Sequence, residues 1–235
     1  MCVITYLSKL CNHKLFTELL RMFDIRLKEN FKLFLVGPSA CGKSVFIQNL
    51  LQNISTVAKK TPSKIIYVYK VWQPLFHDMD LQGLVNIFIK EDENLMEKLK
   101  METIGETSLI VFDDLINSKN LDEISNLFVV DGRHSNFSMI FTSQRMFVNN
   151  EYFRQISNNC DYLVVFKNPR NYSEIRTLAQ QLTPLNLDLL EIYAKATIEP
   201  YSYLFINLTQ ECEESVKFLS HLFDYDHYVK CYVRE

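Results

Sequence analysis

The stretch that most constrains the fold is a short apolar segment, Leu33–Val36, followed at once by a tight loop. The loop, Gly37–Ser44, fits the phosphate-loop pattern G-x-x-x-x-G-K-[ST]. Curled backbone N–H groups in such a loop supply the many donors that phosphate oxygens need. Gly42 keeps side chains away from the phosphates, Lys43 places a charge between the β- and γ-phosphates, and the Ser44 hydroxyl is a ligand for Mg²⁺.

The residues after the loop predict a helix over about 43–58, because Val45–Leu51 carries apolar side chains at helical spacing. The positive end of that helix would face the bound anion. An ordinary glycine-containing turn is the alternative, but it leaves the Lys-Ser pair unexplained. The predicted nucleotide-binding residues are Gly37, Pro38, Ser39, Ala40, Cys41, Gly42, Lys43, Ser44 and Val45.

Composition narrows the class of protein without naming a partner. The 235 residues, 48% of them hydrophobic and 23% charged, suit one α/β domain. A net charge of −3 neither supports nor excludes DNA as a partner. The scattered cysteines lack the paired spacing of a zinc site, and Cys41, inside the loop, favours a reducing compartment. We see no run of 18 apolar residues and therefore predict no membrane span.

A second apolar segment ends in two adjacent acids, Asp113 and Asp114. A carboxylate fixed at a strand tip and facing Ser44 is the hard oxygen ligand that Mg²⁺ prefers, so Asp113 is the predicted metal ligand together with Ser44. Asp114 is placed to orient or deprotonate the attacking water, which indicates hydrolysis rather than binding alone. A pair of acids that merely caps the strand is the alternative reading.

The next predicted strand, 137–144, is tipped by Gln144. An amide at this place can hydrogen-bond the γ-phosphate or the lytic water without adding charge, so it is a natural sensor of the third phosphate. A glutamine that is simply exposed at a strand end is the alternative.

Alternating strands and helices predict an α/β fold with a mainly parallel sheet covered by helices on both faces. A strand over 64–70, between the phosphate-loop helix and the Asp-Asp strand, suits the RecA-like class of P-loop motor ATPases. We divide the single predicted domain into a helical lead-in (1–30), an ATPase core (31–210) and a helical extension (211–235), with a helix over Glu213–Phe223.

Beyond the phosphate loop, four blocks occur in an order that resembles a known family: Tyr67–Pro74, Leu109–Asp114, Gly132–Gln144 and Tyr162–Asn171. They are similar to the DNA-packaging ATPases of poxvirus type, with relatives in adintoviruses and Maverick/Polinton transposons, within the FtsK–HerA superfamily of DNA-pumping motors. The resemblance covers about residues 30–210. The Gly-Arg-His…Ser-Gln and Phe-Lys-Asn-Pro-Arg blocks are more specific than the phosphate loop.

The resemblance implies Mg²⁺-dependent ATP hydrolysis, in which Lys43 contacts phosphates and Asp114 and Gln144 act on the water. It also implies a homo-oligomeric ring in which an arginine enters the site from the neighbouring subunit. Arg133 is the first candidate for that arginine, with Arg170 and Arg176 behind it, because a planar and always protonated group best meets the charge on the transferring phosphoryl group. A surface salt bridge is the alternative role for each arginine.

The sequence departs from the superfamily pattern at two positions. Ala40 stands where glycine is frequent, and it would be strained if the loop requires a positive φ there. Asp114 stands where many relatives carry Glu, and its shorter reach asks for an intervening water.

The function expected from the resemblance is the ATP-driven movement of double-stranded viral DNA into a preformed capsid inside an infected cell. Capsid or portal-vertex proteins would be its partners. Lys70–His77 and Asp131–Asn136 follow strands and are the predicted DNA-facing loops. A viral replicative helicase and a nucleotide-gated assembly scaffold without turnover are the competing interpretations.

Overall fold

The structure is a computed structural model that describes residues 2–5, 25–129, 136–182, 188–223 and 229–233. The strands are β1 (Cys2–Thr5), β2 (Lys32–Val36), β3 (Lys64–Tyr69), β4 (Ile87–Lys90), β5 (Ser108–Asp113), β6 (Phe137–Ser143), β7 (Tyr162–Phe166), β8 (Tyr203–Asn207), β9 (Phe218–Ser220) and β10 (Lys230–Val233). The helices are α1 (Lys43–Gln52), α2 (Ile54–Val57), α3 (Pro74–Leu81), α4 (Leu95–Thr103), α5 (Leu121–Val129), α6 (Glu151–Asn158), α7 (Tyr172–Leu182) and α8 (Asp188–Ala196), with a 3-10 turn at Glu214–Val216.

These strands form one sheet in the spatial order β1-β10-β9-β8-β7-β2-β6-β5-β3-β4. From β7 to β4 neighbouring strands run parallel, and from β7 to β1 they pair antiparallel. The predicted α/β fold with a mainly parallel central sheet is confirmed. Because β6 lies between β2 and β5, the segments that follow these three strands leave the same edge of the sheet side by side.

Helices cover both faces of the sheet, as the alternation of apolar residues along β2 shows. Leu33 and Leu35 lie in a core with α1, α2 and α3, whereas Phe34 and Val36 lie in a second core with α4 to α8. All four side chains are at most 3% exposed. A strand buried on both faces reads as a continuous apolar run, which is why β2 is evident in the sequence.

The helix predicted over 43–58 is interrupted at Asn53, between α1 and α2. The Asn53 side chain donates to the carbonyl of Asn49 at 2.8 Å, and its backbone N–H donates to Asn49 and Leu50. An asparagine side chain that bonds to the preceding turn competes with the backbone ladder, so the single long helix becomes two.

The helix predicted over Glu213–Phe223 is wrong. The segment forms a 3-10 turn and then β9, which fills the edge of β8 by pairing Phe218 with Ile206 and Leu219 with Phe205. Phe218 and Leu219 enter opposite cores, which is the period of a strand. Backbone pairing along β8 therefore outweighs the helical spacing of this short apolar run.

At the other end of the chain, residues 2–5 form a strand, β1, that pairs with β10, rather than the predicted start of a helical lead-in. Residues 6–24 of the predicted lead-in lie outside the described residues, and residues 25–30 are not helical. Among the described helices, none combines the length and the apolar character needed to cross a membrane.

Candidate nucleotide-binding site

The predicted site residues meet at the carboxyl edge of β2, β6 and β5, around a cavity of about 750 Å³. The phosphate loop follows β2, Gln144 follows β6, and Asp113 and Asp114 end β5. The loop residues from Ser39 to Val45 line the cavity together with both acids and the glutamine. The sheet order thus brings together residues that lie about 100 positions apart in the sequence.

The loop backbone has little room for side chains. A Cβ atom at Gly37 would lie 2.6 Å from Phe166 Cβ and 2.7 Å from Cys41 Sγ. Gly42 has a φ of 104° and immediately precedes α1, where its carbonyl accepts the N–H of Phe46 at 2.9 Å. Both glycines of the motif are therefore required by the geometry.

Ala40 has a φ of 59°, so the strain predicted for this position is confirmed. The left-handed conformation costs an alanine about 1 kcal/mol relative to glycine. The loop nevertheless keeps its form, because Gly37 donates its N–H to the Ser143 carbonyl at 3.2 Å and Cys41 is buried.

The Lys43 ammonium lies against the loop itself. Its Nζ donates to the carbonyls of Gly37 at 2.7 Å and Pro38 at 3.0 Å. Burial raises the pKa of the neighbouring Cys41 thiol, although the charge of Lys43 acts in the opposite direction. Cys41 is therefore a packed thiol of the loop rather than a reactive thiolate.

Asp113 is held in the core at the tip of β5, where it is 5% exposed. Its Oδ1 accepts the Thr142 hydroxyl at 2.8 Å, and its Oδ2 accepts the Gln73 amide at 3.4 Å. Burial raises the pKa of Asp113, and the charge of Asp114 adds to the rise, while the hydrogen bond from Thr142 opposes it. A nearby cation would offset the cost of ionising this carboxylate.

Asp114 has a left-handed backbone with a φ of 55°. Its N–H donates to Thr142 Oγ1 at 2.9 Å, and its Oδ2 accepts the Gln144 side-chain amide at 3.0 Å. Both acids line the cavity, but Asp114 is partly exposed there whereas Asp113 is buried. The two neighbouring acids therefore have different environments, as a division into metal ligand and water activator requires.

The residues present fit a magnesium ion. Ser44 and Asp113 offer hard oxygen atoms. The Tyr67 hydroxyl lies close to them, fully buried and without a hydrogen bond of ordinary geometry to any described residue. Burial raises the pKa of Tyr67 well above its usual value and the Asp113 charge raises it further, while Ser44 opposes the rise, which places both groups beside the hydroxyl. A water molecule of a hydrated metal ion held by Ser44 and Asp113 would give the Tyr67 hydroxyl the hydrogen-bond partner that it lacks.

Of the three arginines predicted to serve a neighbouring subunit, the two that the structure describes do not line this cavity. Arg133 lies outside the described residues. Arg170, in the turn after β7, and Arg176, on α7, are both exposed and do not line the cavity.

One wall of the cavity was not predicted from the sequence. It comes from the segment 199–203, which leads into the start of β8, and from His221 and Phe223, which follow β9. Tyr201 has a φ of 62°, is 70% exposed, and has its Cβ 3.7 Å from where a Cβ at Gly42 would lie. An aromatic ring beside the start of α1 is a platform for a nucleobase. No local motif marks it, because the antiparallel strands bring it to the loop.

Thr142 was also missed, although it contacts both acids. It lies on β6 two residues before Gln144 and is fully buried. The pattern of alternate residues along β6 could have indicated it, because Thr142 shares a face with Ile140 and points toward the tip of β5.

Solved structures that align with this chain include two sets of ATPase domains and a flagellar accessory protein. EssC (ATPases 2 and 3) from Geobacillus thermodenitrificans aligns with a TM-score of 0.49 and 12% identity, over 86% of this chain and 39% of that one. EccC (ATPases 2 and 3) from Thermomonospora curvata gives 0.48 and 10%, over 86% and 37%. The flagellar accessory protein FlaH from Methanocaldococcus jannaschii gives 0.41 and 17%, over 68% and 78%. The chain thus spans well under half of the EssC and EccC chains.

Comparison with curated proteins gave no match. The sequence profile of the NB-ARC domain matches residues 12–164, a segment that contains the phosphate loop, both acids and Gln144. This match covers well over half of the 235 residues. The chain therefore belongs to the NB-ARC domain family and is a P-loop ATPase.

Proposed function

We propose that this ATPase is a Mg²⁺-dependent motor of the FtsK–HerA type that moves double-stranded DNA and packages viral DNA into a capsid. The observation that carries the hydrolytic part is the meeting of Asp113, Asp114 and Gln144 opposite the phosphate loop. One acid is buried and the other faces the cavity beside an amide. Simple nucleotide binding does not require that second acid.

In this proposal each residue has a separate task. The loop backbone and Lys43 bind the phosphates, and Ser44 and Asp113 hold the metal. The metal, when bound, supplies positive charge that offsets the charge on the transferring phosphoryl group. Asp114 accepts a proton from the attacking water, and Gln144, whose Nε2 donates to Asp114 Oδ2 at 3.0 Å, orients the carboxylate and contacts the same water.

A contact between the acids and a surface loop supports coupling to DNA. In the segment Lys70–His77, Gln73 donates to Asp113 Oδ2 at 3.4 Å, while Val71 and Trp72 are 71% and 47% exposed. A change in the position of Asp113 would therefore be transmitted through Gln73 to a segment that faces solvent. The other predicted DNA-facing loop, Asp131–Asn136, lies outside the described residues except for Asn136.

The ring, the trans-acting arginine and the capsid partner rest on the resemblance of the motif blocks. Arg133 stays the first candidate for the arginine, and it belongs to the Gly132–Gln144 block that carries much of the resemblance. A site inside an infected cell, at the place of virus assembly, follows from the same resemblance.

The test is ATP hydrolysis by the purified protein alone, with duplex DNA and with single-stranded DNA. We expect duplex DNA to stimulate turnover, and Lys43→Ala and Asp114→Asn to abolish it. Lys119→Ala is the matched control, because this lysine side chain is 84% exposed and pairs with Glu93 at the surface, so the activity of this variant should equal that of the wild type.

The remaining outcomes separate the competing functions. Stimulation by single strands together with unwinding would favour a replicative helicase. Tight ATP binding without turnover, in a protein that sizing shows to be assembled, would favour a nucleotide-gated scaffold. Stimulation that survives alanine substitution of Trp72 and Gln73 would count against the assigned DNA-facing loop.

A further inference from the structure

The Tyr67 side chain is placed by the sheet beneath the predicted metal ligands. Tyr67 pairs with Val111 on β5, and Asp113 lies two residues further along that strand, on the same face. On this face the ring packs against Phe76 and Phe88, with centroids 4.8 Å and 5.7 Å away. Two aromatic neighbours hold the ring so that its hydroxyl has a fixed position.

That hydroxyl is unusual among the described polar atoms. It is fully buried, and it and Ser108 Oγ are the buried side-chain polar atoms without a hydrogen-bond partner in the described part of the chain. The cost of leaving such a group unpaired means that a buried tyrosine normally finds a partner or is replaced by phenylalanine. Asp113 and Ser44 are close enough to influence its ionisation, although neither makes a hydrogen bond of ordinary geometry with it.

We propose that Tyr67 is a positioning residue for the metal, an inference that rests on the proposed magnesium site. Its hydroxyl hydrogen-bonds a water of the hydrated ion and thereby orients Asp113 and Ser44. Magnesium in such sites keeps several waters, and those waters need partners on the protein. Gln73 and Thr142 contact the Asp113 oxygens from other sides. Tyr67 supplies the polar group on the side that faces α1.

The test compares the wild type with Tyr67→Phe, which keeps the ring packing and removes only the hydroxyl. The affinity for a non-hydrolysable ATP analogue is measured by calorimetry with saturating Mg²⁺ and again in EDTA. We expect the gain in affinity due to Mg²⁺ to fall about tenfold in Tyr67→Phe, while the affinity in EDTA is unchanged, because loss of an outer partner typically weakens metal binding by 10- to 100-fold.

Ser108→Ala is the matched control. Its hydroxyl is equally orphaned and 2% exposed, but it lies at the opposite end of β5 from Asp113. Its removal should leave the Mg²⁺-dependent gain at the wild-type value. Melting temperatures of both variants in EDTA should lie close to that of the wild type, since neither hydroxyl makes a hydrogen bond of ordinary geometry to the described protein.

Three results would overturn the proposal. An unchanged Mg²⁺-dependent gain in Tyr67→Phe would remove the link to the metal. An equal loss of affinity in EDTA would assign the hydroxyl to the nucleotide instead. Unfolding of Tyr67→Phe would mean that the hydroxyl is needed by the protein fold itself. If Mg²⁺ does not change the affinity of the wild type for the ATP analogue, the magnesium site itself is refuted. Failure of the magnesium site can therefore be distinguished from failure of the role assigned to Tyr67.

Discussion

The Thr142 hydroxyl lies 2.8 Å from Asp113 Oδ1 and 2.9 Å from the backbone nitrogen of Asp114. One buried side chain therefore donates to the first acid and accepts from the second. It fixes the angle between a carboxylate in the core and one in the cavity. The strained backbone of Asp114, with its φ of 55°, is held in place by this contact.

Thr142→Val should lower both stability and hydrolysis, because it keeps the shape of the side chain and removes both hydrogen bonds. We expect a loss of about 1–3 kcal/mol in the free energy of unfolding, measured with urea. Turnover should fall by about 10- to 100-fold. Thr142→Ser, which keeps the hydroxyl, is the control; if it loses as much turnover as Thr142→Val, the hydrogen bonds are not the cause.

Ala40→Gly should stabilise the protein, because glycine adopts the φ of 59° without strain. Part of the gain is offset by the greater freedom of glycine in the unfolded chain, so we expect about 0.5–1 kcal/mol. Urea unfolding in the absence of nucleotide measures it. Ala58→Gly, at a residue with a φ of −101°, should instead destabilise. A destabilised Ala40→Gly would contradict the assigned strain.

Asp113→Asn should change how stability depends on pH in EDTA. The pKa of Asp113 is raised in the folded protein, chiefly by burial, so the folded state binds the proton more tightly than the unfolded state. The stability that the protonated carboxyl contributes is present below its unfolded pKa and is lost as pH rises through the folded pKa. The variant, which stays neutral, should therefore lack this loss.

Urea unfolding at pH values from about 4 to 7 checks this prediction, since the unfolded pKa of an aspartate is about 3.9. The wild type should lose stability relative to Asp113→Asn as pH increases, and the difference should vanish at the acidic end. Mg²⁺ added at pH 7 should stabilise only the wild type. A constant difference across the range would show that the carboxyl group does not titrate in the folded protein as described.

Tyr201→Ala should weaken binding of ATP by about tenfold while leaving inorganic triphosphate unaffected. The ring lies beside the start of α1 on the cavity wall, and stacking of a base on an aromatic ring contributes about 1–3 kcal/mol. Competition binding with the two ligands measures the difference. Tyr152→Ala, at an exposed position on α6 away from the cavity, is the control. Equal losses for ATP and triphosphate would assign Tyr201 to the phosphates.

Strands β2, β3, β5, β6 and β7 could be predicted from the sequence because they are largely buried on both faces. Compact apolar runs such as Leu33–Val36 and Leu109–Phe112 are typical of such strands. Strand β9 could not be predicted, because it has three residues and its apolar spacing also fits a helix. The segment becomes a strand rather than a helix because it pairs with the free edge of β8.

The candidate site was likewise predictable only in part. Lys43, Ser44, Asp113, Asp114 and Gln144 could be found because each follows a recognisable strand at a fixed spacing. Thr142 and Tyr67 could not, because their importance depends on how far a side chain reaches along one face of the sheet. Tyr201 depends on a long-range antiparallel return of the chain, which no local pattern encodes.

The cavity has walls from both the parallel and the antiparallel part of the sheet, so a bound nucleotide would contact distant parts of the chain at once. Phosphates would be held by the loop after β2, while the base would rest on the segment that enters β8. Amide hydrogens near β8 and β9 should therefore exchange more slowly with solvent when nucleotide is bound, although these strands carry none of the recognised motifs. The occupancy of the pocket should therefore be detectable in strands that lie on the other side of β7 from the phosphate loop.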